Sequence, residues 1–296
     1  MEIRVLKYFL AVAREGNITR AAEILHITQP TLSRQLMQLE DELGTALFIR
    51  GKRKVLLTET GMLLKRRAEE IIDLSKKTEL EIGNQTHEVT GEIVLACGIT
   101  EATKTMGKYI KEFKSLYPQV TFRIRNGNSD FIAEMIDNGL VDIGFALEPI
   151  NLDKFDFLRM NQPEIWGILM KKDDPLAQKD FIEASDLKHL PLINTSRLET
   201  QNQFKEWMGE ETYHQLHFVA VSELTTTASM LVSNDMGYAI VIKGSYHDGT
   251  DNELCFRPLL PQLTTNSLII WKKYQSMSFT VSKFIDFLTK KIKEHQ

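Results

Sequence analysis

Two stretches near the start of the chain carry side chains suited to reading a nucleic acid. In Gln29-Pro30-Thr31-Leu32-Ser33-Arg34, Gln29 and Arg34 can each make paired hydrogen bonds to a purine edge. Pro30 and Thr31 offer carbon to a thymine methyl, and Ser33 is short enough to reach a base or a phosphate. A little later, Arg50-Gly51-Lys52-Arg53-Lys54 sets four positive charges within five residues, a density that a phosphate backbone attracts. Three further turns hold hydroxyl or amide side chains: Gly98-Ile99-Thr100, Gly127-Asn128-Ser129 and Asn194-Thr195-Ser196. Just past a strand and just before a helix, Thr100, Asn128, Ser129, Asn194 and Thr195 could hold a small anionic ligand. Such residues more often cap helices.

Other candidates are weaker. His214-x-x-His217 beside Glu210 and Glu211 has a metal-like spacing but no closing ligand, and it reads as a surface helix end. Cys97 and Cys255 lie in apolar strands and read as small buried hydrophobes. Trp166, Trp207 and Trp271 read as packing. The chain contains no G-x-S-x-G, P-loop or G-x-G-x-x-G pattern, so neither a nucleophile elbow nor a phosphate cradle supports an enzyme. No cofactor is expected.

The elements that must position residues 29–34 are short helices. Ile3, Leu6, Leu10 and Ala13 recur at helical spacing until Glu15-Gly16-Asn17 stops the run. Asn17 or Thr19 can cap a second helix with Ala21, Ala22 and Leu25 inside. His26-Ile27 is a tight connection. Thr28 then caps a third helix that tolerates Pro30 in its first turn. On a helical wheel Leu32, Leu36, Leu39 and Leu43 fall within about 60° of one another, a buried stripe opposite Arg34, Met37 and Asp41. Two short helices, a tight turn and an exposed Gln, Thr, Ser and Arg face make a helix-turn-helix. A three-helix core domain with a polar outer face would share that wheel. Residues 47–50 and 55–58 flank the basic segment and predict a hairpin with a cationic tip.

From residue 60 to about 84 the pattern is helical again. Leu64, Ala68, Ile71, Ser75, Thr78 and Ile82 are spaced 4, 3, 4, 3, 4, a heptad seam. A lone helix packing on its own core would look much the same. Beyond residue 90 strands and helices alternate, with strands at 92–96, 120–125, 141–146, 165–171, 191–194, 218–222, 237–242, 254–259 and 267–272. Helices fall at 102–116, 130–138, 201–208, 224–233 and 278–293. Such alternation builds a parallel sheet covered by helices.

The full chain has 296 residues, 43% of them hydrophobic, and a net charge of −4. That composition excludes collagen-like, wholly disordered and purely coiled-coil chains. The charge is uneven: residues 1–67 hold 12 Lys and Arg against 7 Asp and Glu, and the remainder holds 24 against 33. A basic head on an acidic body suits nucleic acid, although a solvated surface can carry the same asymmetry. Two distant cysteines make no disulfide framework and fit a reducing cytosol. No window approaches a membrane span, and the apolar run at residues 8–13 lies between Lys7 and Arg14 without a cleavage site, so a cytoplasmic protein without membrane partners is expected.

Several of these residues together resemble a known family. Ala21-Ala22-x-x-Leu25, Gln29-Pro30-x-x-Ser33-Arg34, Leu39-Glu40-x-x-Leu43-Gly44, Leu47-Phe48-x-Arg50 and Thr58-x-x-Gly61 resemble the winged helix of LysR-type transcriptional regulators. Tyr117-Pro118 and Gly139-x-x-Asp142-Ile143-Gly144 resemble the family's sensor, although Asp235 and Ile242 stand where Gly and Pro are common. The resemblance implies an α/β protein: a winged helix-turn-helix at residues 1–60, a linker and dimerisation helix at 61–88, and a two-lobed, periplasmic-binding-protein-like effector domain at 89–296. Lobe I would comprise about 89–162 and 266–296, and lobe II about 163–265. Implied partners are double-stranded DNA bearing an interrupted palindrome, a small-molecule effector, a second copy in a homodimer or homotetramer, and RNA polymerase. By the same match Gln29, Pro30, Thr31, Ser33 and Arg34 approach bases, with Arg53 in the wing, while Thr100 and Ser129 line the effector pocket; the charges of Arg50, Lys52 and Lys54 suit the phosphate backbone beside it.

Overall fold

The computed structural model describes residues 1–50, 55–83, 88–246, 253–275 and 277–294. The chain divides into two compact units, Met1–Gln85 and Thr86–Gln296. The first contains α1 (Ile3–Glu15), α2 (Ile18–Ile24), α3 (Gln29–Leu43), β1 (Phe48–Arg50), β2 (Val55–Leu57) and α4 (Glu59–Gly83). Asn17 is the cap of α2, its Oδ1 accepting the Arg20 N–H at 3.1 Å. The buried face of α1 is Val5, Leu6, Phe9 and Val12, whereas Ile3 is exposed. On α3 the stripe holds for Leu32, Leu36 and Leu39, but Leu43 is 41% exposed. The helix ends immediately after it, where Gly44 turns left-handed at φ 65° and returns its N–H to Glu40 and Asp41. The last turn therefore runs past the core.

The wing is tied to this bundle by polar bonds. The Glu40 Oε1 accepts from the Leu47 N–H at 2.8 Å and the Phe48 N–H at 3.1 Å. Thr58 donates its hydroxyl to the Ala46 carbonyl at 2.8 Å and accepts the Gly61 N–H at 2.9 Å. Strands β1 and β2 pair antiparallel, Phe48 opposite Leu57 and Arg50 opposite Val55. The Val55 N–H donates to the Gly16 carbonyl at 2.8 Å, which fixes the hairpin to the end of α1. Lys52, Arg53 and Lys54, the expected cationic tip, lie outside the described residues.

Helix α4 corrects the heptad seam. Leu64 and Ala68 pack with Ile72 into the core of the first unit, so they cannot also face a partner. Among the described residues of α4, Met62, Leu63, Ile71 and Leu74 are the apolar side chains left exposed, at 54, 49, 36 and 42%, and the side chain of Ile82 lies outside them. Packing on α1 claims one side of the helix and rotates the free stripe around it.

The second unit is built on a ten-stranded sheet with the order β4-β3-β5-β12-β6-β10-β8-β9, with β11 branching from β6 and β7 pairing with β11. Lobe I contains β3 (Gly91–Cys97), α5 (Glu101–Leu116), β4 (Val120–Asn126), α6 (Ser129–Asp137), β5 (Ile143–Leu147), the first half of β6 (Phe155–Lys171), β12 (Thr264–Lys272) and α10 (Phe279–Glu294). Lobe II contains the second half of β6, β7 (Ile182–Glu183), β8 (Pro191–Thr195), α7 (Leu198–Met208), α8 (Glu210–His214), β9 (His217–Ser222), α9 (Thr225–Ser233), β10 (Tyr238–Ile242) and β11 (Leu254–Leu260). Strands β4, β3 and β5 are parallel, as are β10, β8 and β9; β6 and β12 run antiparallel to their neighbours.

Strand β6 joins the lobes. Its pairing passes from β12 up to Ile165 to β10 from Trp166 onward. The sequence pattern predicts only residues 165–171 as strand, whereas the observed strand begins at Phe155 and runs through Asn161-Gln162-Pro163. Proline has no N–H for a ladder, and opposite Pro163 the register of β12 shifts between Asn266 and Leu268, which accommodates it.

Helices cover both faces of each lobe. Phe113 and Phe284 stack edge to face at 4.8 Å under α5 and α10, and Ile132, Ile136, Leu268 and Ile270 pack under α6. A Cβ at Gly144 would fall 2.4 Å from Ile132, so α6 lies on β5 only because that residue has no side chain. Asp235 adopts a left-handed φ of 60° where Gly is common in the family. Its carboxylate pairs with Lys171 at 2.6 Å. Among the described residues no helix is long and apolar enough to cross a membrane.

At Gly61 a Cβ would sit 2.2 Å from the Leu47 carbonyl oxygen, which is backbone and cannot step aside. Gly61→Ala should therefore destabilise the full-length protein's first unit by about 1–3 kcal/mol. Thermal unfolding followed by circular dichroism reads this directly, and an unchanged transition would contradict the close approach.

Candidate functional site

In the first unit, Gln29, Pro30, Thr31 and Arg34 are exposed on α3, and Ser33 beside them is half-buried. Thr28 Oγ1 caps the helix by accepting the Thr31 N–H at 3.4 Å, and the two threonine hydroxyls lie 2.8 Å apart. Thr31 thus presents its methyl more freely than its hydroxyl. Arg50 ends β1. The surface formed by residues 29–34 has no acidic member. Asp41 and Glu42 stand at the other end of α3, so the N-terminal half of the helix is the part suited to approach phosphate.

In the second unit, a cleft between the lobes encloses about 930 Å³ including its open mouth. Thr100, Asn128, Ser129, Asn194 and Thr195 all line it. The structure differentiates them. Asn128 caps α6, its Oδ1 accepting the Phe131 N–H at 2.9 Å. Asn194 has both ends of its amide engaged, donating to the Tyr213 hydroxyl at 2.8 Å and accepting the Thr195 N–H at 2.9 Å. Ser129 Oγ accepts the Leu147 N–H at 2.7 Å, which leaves its O–H proton available as a donor. Thr195 Oγ1 accepts the Arg197 N–H at 3.3 Å. Thr100 precedes α5, where its N–H donates to the Thr103 hydroxyl at 3.2 Å.

Three further residues shape the site. Arg197 lines the cleft with a side chain only 7% exposed. Its Nη2 donates to Asp130 at 3.0 Å and to the Pro149 carbonyl at 2.7 Å, and its Nε reaches Asp130 at 3.2 Å. Glu164, 2% exposed on β6, accepts from the Ala102 N–H at 3.1 Å and from Ser267 at 2.9 Å. A carboxylate of the chain itself thus already sits at the positive end of α5. The expectation that this helix end would welcome an anionic ligand therefore shifts to α6 and Arg197. Trp166, read from the sequence as packing, packs edge to face on Phe204 at 5.3 Å and also lines the cleft. Arg197 stands two residues past Thr195 in the same turn, a cation at a strand end that shares none of the hydroxyl or amide chemistry by which its neighbours are recognised. Nothing in the sequence singled out Glu164, because its companions Ala102 and Ser267 are far away in the chain.

The remaining candidates have ordinary surroundings. His214 closes α8 and lies 3.7 Å from Glu210. Both cysteines are free thiols. Burial pushes the Cys97 thiol up, and likewise Cys255, where Arg257 partly counteracts it. Neither is therefore activated as a thiolate.

Comparison with known proteins agrees with both units. Residues 3–62 match the family described as bacterial regulatory helix-turn-helix protein, lysR family, and residues 86–293 match the LysR substrate binding domain. The chain is 32% identical over 247 residues to the HTH-type transcriptional regulator BsdA of Bacillus subtilis, covering 81% of this chain and 83% of that one. It is 27% identical to the Hca operon transcriptional activator HcaR of Escherichia coli, covering 92% of each. In fold it resembles the crystal structure of CbnR, a LysR family transcriptional regulator, at a TM-score of 0.71 and 20% identity over 99% of both chains. CbnR solved with its target DNA gives 0.69 at 21% identity, covering 98% of this chain and 99% of that one. A helix-turn-helix match at residues 3–62 followed by a substrate-binding match along nearly the whole second unit makes this chain a member of the LysR family of transcriptional regulators, with DNA and a small molecule as its ligands and no enzymatic role.

Proposed function

We propose that the face of α3 formed by Gln29, Pro30, Thr31, Ser33 and Arg34 reads base edges in a major groove, while Arg50, Lys52, Arg53 and Lys54 follow the phosphates. The protein binds an interrupted palindrome as a dimer or tetramer, and a negatively charged effector in the inter-lobe cleft modulates promoter activity. The observation that carries the sensor half is that Thr100, Ser129 and Thr195, from three separate strand-end turns, open into one cleft with a buried guanidinium. For the DNA half, the support is the exposed, acid-free start of α3, together with the four positive charges that the sequence sets at residues 50–54. The solved complex of CbnR with its target DNA, a protein of the same fold, is consistent with it. For self-association, the support is the exposed stripe of Leu63, Ile71 and Leu74 on α4, which water disfavours unless a second helix covers it.

These readings have separate tests. Arg34→Ala should cost about 1–3 kcal/mol on the palindrome and relax base preference at one position. Fluorescence anisotropy over a salt series reads both effects, and unchanged affinity and preference would refute the base-reading face. Ile71→Asp would bury a charge against its twin, so sedimentation should show loss of the dimer; an intact, DNA-competent dimer refutes the stripe. Thr100→Leu should abolish effector response while leaving DNA binding intact, because the first unit folds on its own leucine stripe and contributes nothing to the cleft. Ser129→Leu should do the same, although it also removes the acceptor of the Leu147 N–H. A promoter reporter beside direct DNA binding checks this, and normal switching in both variants would move the effector site elsewhere.

A further inference from the structure

Arg197 has the surroundings of a ligand-binding group rather than a structural one. It is the one cation among the described residues that line the cleft, and its side chain is 7% exposed. A guanidinium so far withdrawn from water needs a counter-ion. The one it has, Asp130, is itself 52% exposed at the rim. The pair is thus asymmetric: Asp130 can return to water at little cost, whereas Arg197 cannot. Among the described residues the side-chain hydrogen bonds of Arg197 run from Nε and Nη2, and Nη1 makes none. A second donor in the same wall also lacks an acceptor. Trp166 is 6% exposed and lines the cleft, and its ring N–H finds no partner among the described residues. Buried donors of this kind are normally satisfied, and oxygen atoms on a bound molecule would satisfy it.

Resting on the cleft being the effector site, we propose that Arg197 is the receptor for a carboxylate on the effector, and that the effector binds by displacing Asp130 from it. The exchange replaces one carboxylate on the guanidinium by another, so the buried charge stays paired throughout and the same two-pronged geometry is reused. A neutral ligand offers no such exchange and leaves the Asp130 bond in place. The acceptable charge is one. Glu223 also lines the cleft, and the Glu164 carboxylate occupies the end of α5, so a second anionic group would meet acids and no second cation. The effector class is therefore a small monocarboxylate with an oxygen acceptor for Trp166 and an apolar portion against Leu147 and Ile240.

The exchange also gives the signal a path. Arg197 belongs to the turn between β8 and α7 in lobe II, whereas Asp130 on α6 and the Pro149 carbonyl belong to lobe I. When the effector takes the guanidinium, a bond that ties one lobe to the other is given up, and the lobes settle into the arrangement that best holds the new carboxylate. Only a ligand that competes for Arg197 biases that arrangement.

The test is chemical rescue of the full-length protein, with acetate as the probe and acetamide as its neutral counterpart, at ionic strength matched by chloride. In Asp130→Ala the guanidinium lacks its counter-ion, and acetate should raise the melting temperature by roughly 2–4 °C. Wild type should respond less, the Asp130→Ala/Arg197→Gln double variant should not respond, and acetamide should do nothing in any of them. Asp130→Asn, which keeps the side-chain shape, should repeat the rescue. No acetate response in either Asp130 variant, or an equal response in the double variant, would overturn the proposal. A reporter arm separates it from the reading beneath it. If the promoter switches normally in Arg197→Gln but not in Thr100→Leu, the cleft stands and the carboxylate receptor falls. If it switches normally in both, the cleft itself is not the effector site.

Discussion

A guanidinium taken out of water must keep an anion against it, and in the second unit that requirement falls on Arg197. The bond it satisfies is also one that crosses the mouth of the cleft, from the turn after β8 to the start of α6 and to the Pro149 carbonyl. The chain returns from lobe II to lobe I between β11 and β12, having first crossed in β6, which changes partners next to Trp166. Around that point the polar groups are arranged in pairs: Glu164 with the Ala102 N–H and Ser267, Asn194 with Tyr213, and Ser129 with the Leu147 N–H. Each such pair fixes a turn that faces the cleft. Removing one partner would leave a buried polar group unsatisfied, which costs more than the bond contributes.

The first unit follows the same logic with different residues. The motif positions that identify the family there divide into two physical kinds. Leu39, Glu40, Gly44, Thr58 and Gly61 hold the wing onto the helices, through the Glu40 carboxylate on two backbone donors and the close approach of Gly61 to Leu47. Gln29, Pro30 and Arg34 hold nothing and are exposed. An exposed polar face set on so firmly braced a helix is suited to recognition, because side chains on a fixed frame lose little freedom when they bind.

The opening of the chain was legible largely because its signals are local. A cap such as Asn17 or Thr28, a left-handed Gly44 and a 3.6-residue stripe depend on neighbours a few residues away, so Leu32, Leu36 and Leu39 could be read as core directly. The errors came where a distant element intervened. Leu43 belongs to the stripe by period but lies on a turn that overshoots the core. Leu64 and Ala68 fit a heptad but are covered by α1. The first half of β6 was hidden by Pro163, which is tolerated only because β12 shifts register opposite it.

By itself the sequence determined the order of helices and strands, the division into a basic head and an acidic body, the family, and the five hydroxyl and amide residues that line the cleft. Each of these is written in spacing, composition or turn chemistry within a short window. Only the tertiary structure decided which of those five still offer a donor to a ligand, and that a buried arginine and a tryptophan N–H without a partner among the described residues stand beside them. Those properties depend on who lies across the cleft. Asp130 is 67 residues from Arg197 in the chain, and Glu164 is 62 from Ala102 and 103 from Ser267. The charge state of a pocket is set by such pairings through space, and no local pattern in the chain records them.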